Sequence, residues 1–289
     1  MTTQTSGIDL HIHTTVSDGT DRPEELLPKI REKGLKLFSV TDHDDIKVCR
    51  VIRSMLGEND PRFVSGVEFS CRDEKGRYHI LGYGYDDNAD SIHRVVEKGH
   101  DMRMTKVHAR LDYLKQQVGF TFPEEEIREL LAMDNPGKPH IAKMMVGHGY
   151  AESISQAIHD YINGLRIRNL FLKPEEAIQG ILGAGGIPVL AHPSFGDGDE
   201  LVVGDELEER LRHVLSFGLQ GVEGFYSGFT AQNRDEVLAL SEKYNLYVTA
   251  GSDYHGSNKP VQLGDTGLPD ASCWPSGLTR FLTAIEYIQ

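Results

Sequence analysis

The chain has 289 residues, 39% hydrophobic and 26% charged, which is enough for one large domain or a barrel with a smaller insert and excludes global disorder. Its 30 Lys and Arg against 44 Asp and Glu give a formal charge of −14, which argues against binding long nucleic acid. No run approaches the roughly 18 apolar residues of a membrane span, and the polar start Met1–Gly7 lacks a signal core, so a cytoplasmic enzyme with no membrane partner is expected.

Short β-like runs fall at Ile8–Leu10, Leu37–Thr41, Phe63–Phe69, Tyr78–Tyr83, Ile187–Ala191, Gly221–Phe225 and Leu246–Ala250. Helical patterns lie between several of them. Pro23–Lys33 ends at Gly34, Pro174–Ala184 at Gly185-Gly186 and Asp205–Phe217 at Gly218, with Thr230–Tyr244 the last. Strands alternating with helices of this length predict parallel βαβ units in an α/β sheet or barrel. From Ser91 to Arg168 the rhythm breaks, and nearly everything reads as helix. A helical insert (91–168) in a barrel built from 1–90 and 169–289 is the simplest account, since inserts gather at the active-site end of such barrels.

The chemistry begins at Asp9-Leu10-His11-Ile12-His13. In an extended segment His11 and His13 share one face, about 7 Å apart along the backbone, so both imidazoles can reach one ion. Asp18 follows in a loop. Asp42-His43 lies just past the second strand, Glu68 in the third, His79 in the fourth, His192 past the fifth, and Asp253 and His255 past the last. Six of the 13 histidines thus fall in or directly beyond apolar strands. As core residues each would need a separate hydrogen-bond partner. In a parallel barrel the strand ends converge on one face, which favours a shared metal site. The donors are nitrogen and oxygen only, which suits zinc, manganese or iron(II). Cys49, Cys71 and Cys273 are odd in number and far apart, and fit neither a disulfide framework nor a cysteine-rich zinc site. A P-loop, a Gly-x-Ser-x-Gly elbow and a strand-following GxGxxG are all missing from the sequence.

Together these residues resemble the PHP (polymerase and histidinol phosphatase) family, which opens with His-x-His, continues with Thr-Asp-His and a bridging Glu, and closes with Asp-x-His. The resemblance runs from residue 8 to about 256. It implies a distorted (β/α)7 TIM-like barrel and two or three divalent ions (Mn, Zn or Fe). One ion would take His11, His13, Glu68 and Asp253. A second would share Glu68 and add His79 and His192, and a third would use Asp18, His43 and His255. The implied activity is hydrolysis of a small phosphorylated metabolite by a hydroxide held between two ions, with Asp18, His43, His192 and Asp253 in catalytic roles. Histidinol-phosphate phosphatases usually have histidine where this chain has Asp18. A narrower subfamily of small-molecule phosphoesterases carries Arg-Pro-His in its insert, and here Lys138-Pro139-His140 stands in its place. It also carries His-Pro-Gly-Arg after the fifth strand, where this chain has His192-Pro193-Ser194-Phe195. Lys138, His140, Ser194, Arg166 and Arg168 are accordingly the expected substrate contacts. A nucleotide or sugar phosphomonoesterase is the first reading. A cyclic phosphodiesterase, a short-oligonucleotide exonuclease and a non-catalytic metal-binding accessory module are the alternatives.

Overall fold

The computed structural model describes residues 7–167, 169–197 and 200–287. Seven strands form one sheet in sequential order: β1 (Ile8–Asp9), β2 (Leu37–Val40), β3 (Arg62–Arg72), β4 (Arg77–Tyr83), β5 (Ile187–Leu190), β6 (Gly221–Tyr226) and β7 (Tyr247–Gly251). The two ends of the sheet meet. The Leu10 amide donates to the Ala250 carbonyl at 2.9 Å, and the Asp253 amide to that of His11 at 2.8 Å. A parallel bridge joins Ile12 to Tyr254. The result is a seven-stranded barrel whose first strand spans only two residues.

Parallel pairing holds for β1–β2–β3 and β5–β6–β7, but β4 runs antiparallel to both neighbours. The cause is the connection. Only Asp73–Gly76 separates β3 from β4, whereas a parallel crossover needs a dozen or more residues. The Asp73 amide donates to the Gly76 carbonyl at 3.0 Å and closes a hairpin instead.

Around the barrel pack α1 (Pro23–Glu32), α2 (Lys47–Met55), α3 (Asp90–Tyr113), α7 (Pro174–Gly183), α8 (Gly204–Leu215), α9 (Ala231–Lys243) and α10 (Ser276–Tyr287). Pro23 opens α1, where a missing amide hydrogen costs nothing, and Leu26, Leu27 and Ile30 are its buried stripe. Two of these helices, α2 and α10, were not expected from the sequence. The buried face of α2 is only Val48, Cys49 and Ile52, too short a pattern to stand out. Helix α10 sets Phe281 edge-on against Tyr83, with ring centroids 5.4 Å apart, and covers the end of the barrel remote from the histidines.

Helix α3 serves two cores. Ile92 and Val95 join the barrel core, whereas Val107 and Leu111 pack with Leu130, Ile141 and Met145 in a separate one. That second core is built from α4 (Glu124–Leu131), α5 (Lys138–Gly147) and α6 (Ile154–Gln156), which runs on as a π-helical turn over Ala157–Tyr161. Among the described residues no helix is long and apolar enough to cross a membrane.

Candidate metal centre

Parallel strands bring β1, β2, β3, β5 and β7 to one end of the barrel, and the loops after them carry His11, His13, His43, His192, Asp253 and His255. The reversal of β4 brings its beginning to that same end. His79, directly opposite Ser70 in the β3–β4 register, therefore faces the cluster from an N-terminal strand position.

Glu68 is the hub. Its Oε2 lies 3.3 Å from His11 Nε2, 3.1 Å from His13 Nε2 and 3.2 Å from His43 Nδ1. Its Oε1 lies 2.9 Å from His79 Nδ1 and 3.3 Å from His192 Nε2. Asp253 Oδ1 closes the opposite side, 3.5 Å from His11 Nε2 and 3.4 Å from His13 Nε2. Asp18 Oδ1 sits 3.2 Å from His255 Nε2, with its other oxygen 3.9 Å from His43 Nε2. Three groupings have ligand atoms close enough for one ion: His11, His13 and Asp253; His43, Glu68 and His79; and His13, Asp18, His43 and His255. All nine side chains expected from the sequence as ligands are thus brought together.

The donor set fits divalent cations on a direct observation. His11 Nε2, His13 Nε2 and Glu68 Oε1 are buried and make no hydrogen bond among the described residues. Each such atom costs about 1–3 kcal/mol if nothing satisfies it. Burial alone would raise the Glu68 pKa, but His79, His11 and His43 outweigh it and hold the carboxyl well below its usual range. Burial is likewise outweighed at Asp253 by Lys259, His255 and His11, and at Asp18 by His255 and His43, so both stay ionised. The backbone is strained here as well: Asp44, His192 and Asp253 have φ of 53°, 25° and 57°.

A surrounding layer fixes these side chains, and most of it escaped sequence reasoning. Glu223 on β6 is fully buried; its Oε1 accepts from His11 Nδ1 at 3.0 Å and its Oε2 from the His192 amide at 2.8 Å. That bond holds the His11 proton on Nδ1 and frees Nε2 for an ion. Asp42 accepts from the Thr14 amide and from the hydroxyls of Thr14 and Ser17, bracing the loop that carries Asp18. Asp9 does the same for the Asp253 turn through Ser252 and the Gly264 amide. Gly251 is needed for close approach, since a Cβ there would stand 2.2 Å from His11 Cβ and 2.5 Å from Glu223 Oε1. The available signal was a carboxylate inside an apolar strand, as in Val222-Glu223-Gly224-Phe225 and Ile8-Asp9-Leu10.

The centre opens into a cleft of about 1090 Å³ between barrel and insert. Among the described residues eight basic side chains line it, Arg72, Arg77, Arg103, Lys106, Arg110, Lys138, Arg166 and Lys259, against Asp18, Asp197 and Glu200. In a chain of net charge −14 this is a local reversal of sign. Lys138 reaches Asn163 Oδ1 at 2.8 Å from the start of α5, and Arg166 is an exposed part of the wall. His140 spends Nδ1 accepting the Gly137 amide at 3.0 Å and is absent from that wall. Ser194 is fully buried beneath the β5 turn, outside the cleft. Arg168 lies outside the described residues.

The PHP domain family model matches residues 9–173, more than half of the chain. The chain belongs to the PHP domain family. It is 28% identical over 255 residues to the phosphoribosyl 1,2-cyclic phosphate 1,2-diphosphodiesterase of Eggerthella lenta, covering 86% of this PHP chain and 94% of that protein. It is 26% identical over 264 residues to the 3′,5′-nucleoside bisphosphate phosphatase of Chromobacterium violaceum, covering 86% and 87%. A crystal structure described as a metal-dependent phosphoesterase from Bifidobacterium adolescentis superposes with a TM-score of 0.80 at 26% identity, covering 96% of each chain.

Proposed function

We propose that this chain, a phosphoric ester hydrolase with a PHP-type centre, acts as a phosphomonoesterase on a small nucleotide or sugar phosphate. One observation carries the reading: a nine-residue nitrogen and oxygen cluster with orphaned buried donors opens into a cation-lined cleft. His11, His13, Glu68 and Asp253 would hold one ion, Glu68, His79 and His192 a second, and Asp18, His43 and His255 a third, and the donor set suits manganese, zinc or iron(II). Bound ions of this class lower the pKa of a water and offset charge growing on phosphoryl oxygens. The chain's own groups do the rest. Glu223 keeps His11 in its ligating tautomer. Lys259, 2.5 Å from Asp253 Oδ2, and Lys138 hold non-bridging phosphate oxygens. Asp18, His43, His192 and Asp253 touch the reacting atoms, and Asp18 with His255 lies where a leaving alcohol takes its proton.

Residues 1–90 and 169–289 form the catalytic barrel, and 91–168 shape the pocket. Arg166 meets the substrate's outer part, and Ser194 and His140 support the walls behind it. The three free cysteines suit a reducing compartment, the cytoplasm. A cyclic phosphodiesterase is the second reading, favoured by the likeness to the Eggerthella lenta protein across nearly its whole length. The test is phosphate release from a panel of phosphorylated metabolites with manganese or zinc. The panel includes 5-phosphoribose 1,2-cyclic phosphate, 3′,5′-bisphosphonucleosides and a short oligonucleotide. Release from monoesters supports the first reading, and release confined to the cyclic ester replaces it with the second. No release from any member overturns both.

A further inference from the structure

We propose that Lys106 and Arg110 on α3 form a second anion subsite, separate from the metal centre, that binds a phosphate group at the far side of the cleft. The proposal rests on the phosphoester reading for its substrate but not for its existence.

Arg103, Lys106 and Arg110 are spaced i, i+3 and i+7, so they share one face of α3. All three line the cleft, and all are more than nine-tenths buried, at 8%, 6% and 8% exposure. Arg103 has its counter-ion: Nη2 and Nε donate to Asp44 Oδ2 at 2.5 and 3.2 Å, beside the metal ligand His43. Lys106 and Arg110 have none. Among the described residues no carboxylate lies within 4.0 Å of either, and the Lys106 ammonium sits over the face of Phe171, 4.0 Å from the ring centroid.

A buried charge without a partner costs several kcal/mol, and two on one face repel as well. Among the described residues the chain's acidic side chains supply neither. The missing partner is therefore something that enters the cleft. Burial, reinforced by Arg103, pushes Lys106 down to about 7 and Arg110 down to about 10, the direction an arriving anion would reverse.

The position also fits. From Arg103 to Arg110 the helix advances about 10 Å, so the subsite lies beyond the end of α3 that touches the metal centre. The turn after β5 contributes no cation, because Phe195 packs against Tyr226 and Phe229 with ring centroids 6.0 and 5.9 Å away. Ile154, Ile158 and Leu165 supply an apolar part of the lining, where the body of such a molecule would lie.

The test uses the full chain with Lys106→Gln and Arg110→Gln, and Arg110→Lys as the charge-keeping control. Inorganic phosphate is titrated into metal-free protein and followed by thermal shift. Each Gln variant should weaken phosphate binding about 10–100-fold, the worth of one charge-assisted hydrogen bond, and Arg110→Lys should restore part of it. Without phosphate the Gln variants should melt at or above the wild-type temperature, because an unpaired buried charge has gone. Equal phosphate shifts in wild type and both Gln variants overturn the subsite. So does a lower melting temperature at unchanged phosphate affinity, which marks the cations as structural.

Kinetics with manganese then identify the source of the phosphate. If it is a second group on the substrate, kcat/KM falls 10–100-fold in the variants for a 3′,5′-bisphosphonucleoside but within twofold for 4-nitrophenyl phosphate. If both substrates are unaffected while the phosphate shift is lost, the subsite holds free phosphate. An inactive wild type that still loses its phosphate shift in the variants rejects the hydrolase reading and keeps the subsite.

Discussion

The sharpest consequence of the site's construction concerns Glu223→Gln, a change of one oxygen to an amide nitrogen in a residue that touches no ion. The native carboxylate accepts twice, from His11 Nδ1 at 3.0 Å and from the His192 amide at 2.8 Å. Glutamine accepts only once. With its oxygen toward His192, its NH2 faces His11 Nδ1, which must then accept and carry its proton on Nε2, the atom aimed at Glu68 and Asp253. With its oxygen toward His11, the His192 amide is left facing a donor. The first arrangement reads out as a metal affinity lowered about 10–100-fold, or about 1.4–2.8 kcal/mol. The second reads out as a metal-free protein destabilised by about 1–3 kcal/mol. Competition with a chromophoric chelator gives the first quantity and denaturant unfolding without metal the second. If both match wild type, Glu223 does not set the His11 tautomer, and the account of this supporting layer is wrong.

Replacing His13 or Asp253 with alanine should lower turnover by roughly three orders of magnitude, since each removes an ion contact worth several kcal/mol in the transition state. Circular dichroism should show the fold intact, and near-native turnover would remove either residue from the ligand set. Metal affinity should rise with pH. In the metal-free protein burial would lower the His13 pKa, but Asp253 and Glu68 outweigh it and raise it to about 9. Protonated His13 therefore stabilises the metal-free fold fully below about 6.5. That contribution fades as pH climbs through 9, and the ion must displace the proton. Calorimetric titration in buffers of different ionisation enthalpy should detect proton release between these limits; a flat affinity across them contradicts the assignment. Gly251→Ala should cut metal affinity at least as much as Glu223→Gln, because its Cβ collides with both His11 and Glu223. An unchanged chelator competition would show that the strand end yields more easily than its packing implies.

The side chains that cluster at the centre were legible in the sequence because each breaks a local rule: a histidine or acid at the end of an apolar strand needs a reason to be there. The direction of β4 was not, since periodicity reports burial and says nothing of strand polarity; only the four-residue Asp73–Gly76 connection held that clue. Glu223 and Asp9 were hidden by their strands, where a single polar residue reads as an interruption. The basic face of α3 was visible as spacing, but Lys106 and Arg110 have the look of ordinary solvated charges until burial is known. Ser194 and His140 were singled out by motif position, and the fold turns the first beneath the β5 loop and commits one nitrogen of the second to an α5 cap.

The barrel closes where the short strand β1 and the residues after it meet β7, through the amides of Leu10, His13 and Asp253 and a bridge from Ile12 to Tyr254. On either side of that join stand His11 and His13 from one end of the chain and Asp253 and His255 from the other. An ion shared between them would act as a clasp across that join, tying residues some 240 positions apart. Catalytic competence and topological closure would then depend on the same bonds. Chelation should raise amide exchange first at Leu10, His13 and Asp253, along that join, before the β3–β4 hairpin loosens.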